Sequence, residues 1–584
     1  MYLEKIKGPE DVKKLNMEEL NILAEEIREG LFNRLTNIGG HCGPNFGFVE
    51  ATIALHYVFN SPVDKIVYDV SHQTYPHKML TGRAYGYIDE NRFHEVSGYS
   101  APDESAHDYF IIGHTSTSVS LASGLAKARD LKGDKENVIA VIGDGSLSGG
   151  EALEGLDFAG SELNSNFIII VNDNDQSIAE NHGGLYKNLK ELREGTARTN
   201  LFTAFGLDYI YEPEGNNIEK LIKVFEKVKD VDHPIVVHIN TVKGKGYEPA
   251  EKNREPWHWT MPFDRAAGKV KFEFNEEDYE SLTADLILDK ISKDPKVVAI
   301  AAGVPVAFGF TKDKRIKAGK NYVDVGIAEE HAVGMISGIA KNGCKPVLGT
   351  NATFMQRTYD QLAQDLCINK NPATIVLGSP SVFGMNDVTH IGVTAISEFA
   401  NIPELVVLAP TNKKEYLSML DWSIDQNEYP VMIFMPCNGV IDDGREGEKN
   451  YSNCINKYKV ENAGEKVAII AVGDFYQIGE ETAKLIEEKL GFKPTLINPR
   501  FINSLDIECL NNLKEKHDII ITLEDGILDG GFGQKIASYF GDTNIKVKNY
   551  GLEKKLYDRY DASEVLDELG ITPEKIANYI EKMK

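Results

Sequence analysis

Two apolar runs, each ending in a turn of oxygen-bearing side chains, constrain this chain more than any other feature. They are Val141-Ile-Gly-Asp-Gly145 and Ile168-Ile-Ile-Val-Asn-Asp-Asn-Asp-Gln176, about 30 residues apart. Runs this uniformly apolar suit strands buried on both faces, as in a parallel α/β sheet. Asp144 and Asn174 can offer a carboxylate and an amide oxygen to one Mg²⁺, with a backbone carbonyl near Gln176 as a third ligand. Mg²⁺ takes oxygen ligands in octahedral geometry and fills its remaining positions with water and phosphate. Gly143 and Gly145 let the backbone approach a phosphate closely. One such turn alone reads equally well as a polar strand end; two at this separation favour a site for a metal and a diphosphate.

Around these runs the chain reads as three α/β blocks. The first reaches about residue 270 and alternates helical stretches, such as Met17 to Asn33, with buried strands, such as Val138 to Ile142 and Pro234 to His238. Short apolar runs between helical patterns predict parallel strands with crossover helices. The polar stretch Asp264 to Tyr279 reads as a linker. A second block, 281–440, carries candidate strands Val297 to Ala301, Pro346 to Gly349, Ala373 to Leu377 and Leu405 to Leu408. The charged, Gly-containing stretch Asp442 to Ser452 reads as a second linker. The third block, 453–584, has strands at Val467 to Val472 and Ile519 to Leu523. In open α/β sheets ligands sit at the carboxyl ends of strands, where both halves of the opening motif lie.

The chain has 584 residues, enough for several domains, and a hydrophobic content of 42% supports large cores. Its net charge of −26 disfavours nucleic acid or an anionic membrane as partner, and leaves small-molecule substrates. The six cysteines are scattered, with no C-x-x-C or metal spacing, and read as reduced thiols. Met1 to Gly8 is charged and is not expected to act as a secretory signal. No apolar run reaches about 18 residues, so no membrane span is expected. A cytoplasmic location follows as an expectation.

Several other stretches can carry chemistry. Gly39 to Gly47 sets His41 among glycines and a proline, and a lone loop histidine is more often structural. Asp69 to His77 adds His72 and His77. Gly113-His-Thr-Ser-Thr-Ser118 adds His114 and hydroxyls suited to phosphate oxygens, Thr115 among them. Lys243 in Lys243-Gly-Lys-Gly246 can place an ammonium on a diphosphate, although such pairs are common in surface turns. His258 lies between Trp257 and Trp259, where a partly buried aromatic cluster is an equal reading. Asp324 to Ala332 places Glu329, Glu330 and a histidine after a Gly turn at the start of a helix. A glutamate there can bond a ring nitrogen of a cofactor, and apolar surroundings would raise its proton affinity towards neutral pH. An exposed acidic first turn is the better reading for Glu330. Phe354 offers a ring to stack on an aromatic ligand.

Together these motifs resemble the 1-deoxy-D-xylulose-5-phosphate synthase family, in the transketolase-like branch of thiamine-diphosphate enzymes. The resemblance runs through Gly40 to Pro44, His72 to Lys78, Gly143 to Gly145 with Asn172 to Asn174, Lys243 to Glu251, Asp324 to Ala332, Thr353 to Gln361, Asn498 to Phe501 and Gly530 to Gly533. It implies a three-domain transketolase-like α/β fold: a diphosphate- and Mg²⁺-binding domain, 1–270; a pyrimidine-binding domain, 281–440; and a transketolase C-terminal-type domain, 453–584. It implies thiamine diphosphate and Mg²⁺ as cofactors, with Asp144, Asn174 and Gln176 on the metal. His72, Gly113, His114, Thr115, Gly143, Gly145 and Lys243 would serve the diphosphate, and Phe354 the pyrimidine. Glu329 would bond the pyrimidine ring nitrogen. His41 and His258 would orient substrate and shuttle protons, and His390 would face donor or acceptor. The implied reaction joins pyruvate to glyceraldehyde 3-phosphate with loss of CO2, in a homodimer.

The chain also departs from the family's text. Ser379 stands where the family has an arginine, Asn386-Asp387 replaces Asp-Gly, Cys437 occupies a second arginine's place, and Asn351 that of a tyrosine. The segment between Asn181 and Leu201 is shorter by some tens of residues. Both arginines are associated with the acceptor's phosphate, and Ser or Cys cannot copy their paired, charge-assisted grip. Two alternatives follow: a carboligase of this family with another acceptor or ketose donor, and a cofactor-binding relative without turnover.

Overall fold

The computed structural model describes residues 1–272 and 276–583 and divides into two compact units. One is Met1–Asn275 with Gly326–Ala328; the other is Glu276–Val325 with Glu329–Lys584.

The first unit is built on a five-stranded, all-parallel sheet: β1 (Lys65–Tyr68), β2 (Val138–Gly143), β3 (Phe167–Asp173), β4 (Asp208–Glu212) and β5 (Pro234–Asn240), in the order 1-2-3-5-4. β2 and β3 are buried almost throughout, which explains why they read as unbroken apolar runs. Their register pairs Gly143 with Asn172, so both oxygen-rich turns leave the same edge side by side. Helix α1 (Met17–Ile38) runs five residues beyond the stretch read from sequence. Asn16 and Glu19 form a reciprocal cap at its start, and Leu20, Leu23, Ile27, Leu31 and Leu35 fill the core at helical spacing. It ends at Gly39 with φ +75°, where a Cβ would stand 2.5 Å from the Thr260 carbonyl. That close approach permits a two-residue antiparallel ribbon pairing His41 with Trp259.

The second unit holds two sheets. One is all parallel: β6 (Val297–Ala301), β7 (Tyr322–Asp324), β8 (Lys345–Asn351), β9 (Thr374–Gly378), β10 (Val406–Leu408) and β11 (Val431–Phe434), in the order 7-6-8-9-11-10. The other contains β12 (Lys459–Asn462), β13 (Lys466–Ala471), β14 (Thr495–Asn498), β15 (His517–Ile527) and β16 (Lys546–Leu552), in the order 12-14-13-15-16. Only β12 runs antiparallel, at an edge. The two sheets share one hydrophobic cluster, from Ile300 and Leu348 to Ile470 and Ile520.

The stretch Asp264 to Tyr279, expected as a linker, begins with a short hairpin, Phe263–Asp264 against Lys269–Val270, and ends where a helix starts at Tyr279. Glu273, Phe274 and Asn275 lie outside the described residues. Asp442 to Asn450 is coil, pinned where the Arg445 guanidinium stacks on the Tyr476 ring at 4.1 Å. All six cysteines are free. Among the described residues, no helix is long and apolar enough to cross a membrane.

Candidate active site

In the first unit the two turns meet at Asp144. Its Oδ2 accepts from the Gln176 backbone N–H at 3.0 Å and from Asn181 Nδ2 at 2.8 Å. Burial, followed by the charge of Asp173, pushes the Asp144 carboxyl up to about 7. Nearby, Asn174 Oδ1 is buried without a hydrogen-bond partner. An orphaned buried acceptor costs about 1–3 kcal/mol, which a bound cation at that oxygen would offset. A carboxylate, an amide oxygen and a backbone carbonyl form a hard-oxygen set that fits Mg²⁺. Among the described residues, no group of three or more His, Cys, Asp or Glu is gathered as a metal site. Glycine at 145 has a packing reason as well: a Cβ there would fall 2.7 Å from Ser177 Oγ, so the two turns could not close together. A Cβ at Gly143 would meet nothing within 4 Å, which leaves that backbone approachable.

The turn carrying Asn174 is strapped by a residue the sequence did not single out. Arg193, on helix α2 (Gly184–Glu194), pairs with Asp173 through Nη1 and with Asp175 through Nη2 at 2.7 Å, bracketing Asn174. Asp173 also bonds His238 Nε2 at 2.8 Å, and His238 Nδ1 meets the Tyr209 hydroxyl at 2.7 Å. Arg193→Gln is expected to weaken Mg²⁺ binding about 10- to 100-fold, the usual cost of losing a group that orients a metal ligand. A Mg²⁺ titration of cofactor binding checks this, and an unchanged midpoint would contradict the strap.

The histidines His41, His72 and His258 form one cluster, with ring centroids 5.0 Å (41 to 72), 5.7 Å (41 to 258) and 5.2 Å (72 to 258) apart. Lys243 is buried rather than in a surface turn. Its ammonium bonds the Ser177 carbonyl and lies 3.0 Å from His258 Nδ1. Burial lowers Lys243 to about 7 and holds His258 well below the usual histidine range, with the Lys243 charge adding to it. Of the flanking tryptophans, Trp257 packs edge-on to Tyr247 and Phe263, while Trp259 is half exposed, so His258 belongs to the histidine cluster. The Gly113, His114, Thr115 loop is tied down by Asp69, which accepts from the backbone of Ser116 and of Ser118, both at 2.9 Å. Val70 and Ser71, just before His72, hold φ of +57° and +62°, a strain typical of functional sites.

In the second unit, Glu329 opens helix α3 (Glu329–Lys341) and is buried, with Oε2 lacking a hydrogen-bond partner. Burial pushes its carboxyl up to about 7, against the pull of Arg357, whose Nη1 is 3.9 Å away. Phe354 and His390 meet edge to face at 5.5 Å. At the departures, Ser379 has φ +52°, and Asn351 Oδ1 lies 2.7 Å from where a Cβ on Gly378 would stand. The Cys437 N–H donates to Asp474 Oδ2 at 2.9 Å. Burial holds the Cys437 thiol well above its usual range, and the neighbouring charges of Asp474, Asp525 and Glu280 add to this. Asp474 and Asp525 are both pushed up, first by burial, and Asp525 further by the charge of Asp474.

Sequence reasoning missed Asn181, Arg193, Asp69 and Arg357. None has a local pattern that marks it, because each acts on a residue far along the chain or through a tertiary closure.

Three α/β sheets in this order, the first with paired oxygen-rich turns at adjacent strand ends, define a chain of the transketolase-like class. Comparison with known proteins makes the assignment sharper. A sequence model described as 1-deoxy-D-xylulose-5-phosphate synthase matches residues 3–200 and 187–241. The transketolase pyrimidine binding domain matches 278–439, and the transketolase C-terminal domain 456–576. The 1-deoxy-D-xylulose-5-phosphate synthase of Caldanaerobacter subterraneus is 35% identical, covering 99% of this chain and 98% of that one. The synthases of Natranaerobius thermophilus (99% and 98%) and Alkaliphilus oremlandii (100% and 99%) are each 36% identical. The chain belongs to the 1-deoxy-D-xylulose-5-phosphate synthase family.

Proposed function

We propose that this chain is a thiamine-diphosphate-dependent transferase that condenses pyruvate with D-glyceraldehyde 3-phosphate to 1-deoxy-D-xylulose 5-phosphate and CO2. The observation that carries this reading is the full-length relation to synthases of that name. Residues 1–270 serve the diphosphate and metal, 281–440 the pyrimidine, and 453–584 form the third domain. Asp144, Asn174 and the Gln176 carbonyl hold Mg²⁺. His72, Gly113, His114, Thr115, Gly143, Gly145 and Lys243 bind the diphosphate, and Phe354 packs on the pyrimidine. Glu329, whose raised proton affinity suits exchange near neutral pH, bonds the pyrimidine ring nitrogen. When bound, the cofactor supplies the electron sink for decarboxylation. His41 and His258 orient substrate and pass protons, and burial keeps the His258 ring neutral. His390 faces donor or acceptor. The C1–C2 bond of pyruvate breaks, and C2 joins the aldehyde carbon of the acceptor. The enzyme works as a cytoplasmic homodimer, the commonest oligomeric form, and its product supplies isoprenoid and thiamine precursors.

One observation favours a second reading, the same chemistry on another acceptor. Ser379 and Cys437 stand where the resemblance places phosphate-binding arginines, and the carboxyls of Asp474, Asp525 and Glu280 act on Cys437. None of these groups can donate the paired, charge-assisted bonds by which arginine holds a phosphate. Steady-state kinetics with glyceraldehyde 3-phosphate and with unphosphorylated glyceraldehyde separate the two. A kcat/KM at least about 10-fold higher for the phosphorylated aldehyde, as one charge-assisted contact gives, supports the first reading. A ratio at or below one supports the second.

A further inference from the structure

The loop from Ser379 to His390 is fixed from both ends by the third sheet's block. Asp525 accepts from the Val382 N–H at 3.0 Å and bonds the Ser381 hydroxyl. The Tyr560 hydroxyl donates to the Val382 carbonyl at 2.9 Å, and its own carbonyl accepts from Asn386 Nδ2 at 3.0 Å. Asn386 in turn accepts the Arg559 N–H at 2.7 Å, and Asp558 accepts the Val388 N–H at 3.1 Å. At the loop's end, Asp387 Oδ1 accepts from the Thr389 N–H at 3.1 Å and from the Thr389 hydroxyl at 2.6 Å, and lies 3.0 Å from His390 Nδ1. The Thr389 oxygen is itself 2.8 Å from that same nitrogen.

These contacts decide a tautomer. A hydroxyl has one hydrogen. With that hydrogen given to Asp387, the Thr389 oxygen can only accept from His390 Nδ1. Asp387 Oδ1, which already receives the Thr389 N–H and hydroxyl, can also only accept from Nδ1. Nδ1 therefore faces two acceptors and carries the proton, which leaves the lone pair of the neutral ring on Nε2. A carboxylate behind one ring nitrogen fixes the tautomer and the ring orientation. His390 is almost buried, with the edge-on Phe354 ring holding it from the side.

We propose that Asp387 is the positioning residue of His390: with Thr389 it locks the proton on Nδ1 and presents Nε2 as the proton-accepting atom. That Nε2 then meets substrate rests on the function proposed above; the tautomer does not. Nothing in the text of this loop marks the pair, since Asp387 lies three residues from His390 in coil and meets it only because the third block pins the turn.

The test is long-range ¹⁵N–¹H spectroscopy of the whole protein labelled in its 14 histidines, with His390 assigned by its loss in His390→Gln. The expected result is an Nδ1–H tautomer at alkaline pH in the wild type. In Asp387→Asn, which keeps an oxygen for the Thr389 N–H, the population should move towards Nε2–H. In that variant kcat should fall about 10²-fold, the usual scale of a misdirected acid–base group, with KM for pyruvate changed little. An Nε2–H tautomer in the wild type overturns the proposal and needs no variant to fold. An unchanged tautomer in Asp387→Asn overturns it too. If the tautomer behaves as expected but His390→Gln turns over normally, the role given to His390 fails and the positioning by Asp387 stands.

Discussion

Glu329→Gln is expected to lower kcat by about 10²- to 10⁴-fold, the range that a positioned acid–base group contributes, while making the protein more stable at alkaline pH. Both effects have one cause. Burial lifts the folded carboxyl from an ordinary 4.5 to about 7. Between those values the native state binds more protons than the unfolded chain, so stability falls as pH rises through that window. Below about 4.5 both states are protonated and nothing is lost; above about 7 the full cost is present. At 1.36 kcal/mol per unit, the wild type carries a cost of about 3 kcal/mol at pH 8. Glutamine stays neutral, so its melting temperature should exceed that of the wild type at pH 8 by several degrees and match it near pH 4.5. Calorimetry at the two pH values reads the stability effect, and turnover reads the other. A variant that keeps full turnover would remove Glu329 from the chemistry.

Asp144→Ala is expected to abolish Mg²⁺-dependent cofactor binding, weakening it more than about 100-fold, beyond the range for groups that only orient a ligand. Asn174→Ala should do the same with a different signature in the metal-free protein. Asp144 satisfies the Gln176 N–H and an Asn181 amide, so its loss leaves donors unpaired, while above about pH 7 it also removes the cost of a buried carboxylate; below about pH 4 only the first effect remains and the apo variant should be less stable than the wild type. Asn174 Oδ1 has no partner to lose, so apo stability should hold or rise. Metal and cofactor at about 100 times their dissociation constant stabilise the wild type by about 2.7 kcal/mol, and both variants should lose that increment. Thermal melts with and without Mg²⁺ and thiamine diphosphate check this. Retention of the full increment in either variant would contradict the metal assignment.

Many central strands were legible because burial on two faces writes itself as unbroken apolar runs, but the equally buried Val431–Phe434 and Thr495–Asn498 were not singled out. Val297–Ala301 was read to the residue, and Val138–Gly143 to within one. Ends were less legible, since pairing rather than composition sets them. β15 runs from His517 to Ile527, past the stretch Ile519 to Leu523, because β13 pairs its start at His517 and β16 pairs its end at Ile527. Helix α1 runs past Asn33 because the apolar spacing continues at Leu35 and because Arg34 is buried through bonds to the Gly86 and Val96 carbonyls, which a hydrophobic count cannot see. In the candidate site, glycines, histidines and carboxylates in fixed local order were readable. The residues that hold them were not. Arg193 straps a turn about 20 residues away, and Asp69 holds a loop nearly 50 residues away. Such pairings depend on how the chain closes. Lys243 shows the same limit, since its sequence suits an exposed turn but its ammonium is buried between a carbonyl and a histidine ring.

Label tracing tests the central claim most directly. The protein would be given [2-¹³C]pyruvate, glyceraldehyde 3-phosphate, Mg²⁺ and thiamine diphosphate, with the products followed by ¹³C spectroscopy. The account predicts label at the keto carbon of 1-deoxy-D-xylulose 5-phosphate, one CO2 per product, and no product when cofactor or metal is omitted. Cofactor-dependent CO2 release with the label in any other compound, or product formation that survives removal of the cofactor, would contradict it.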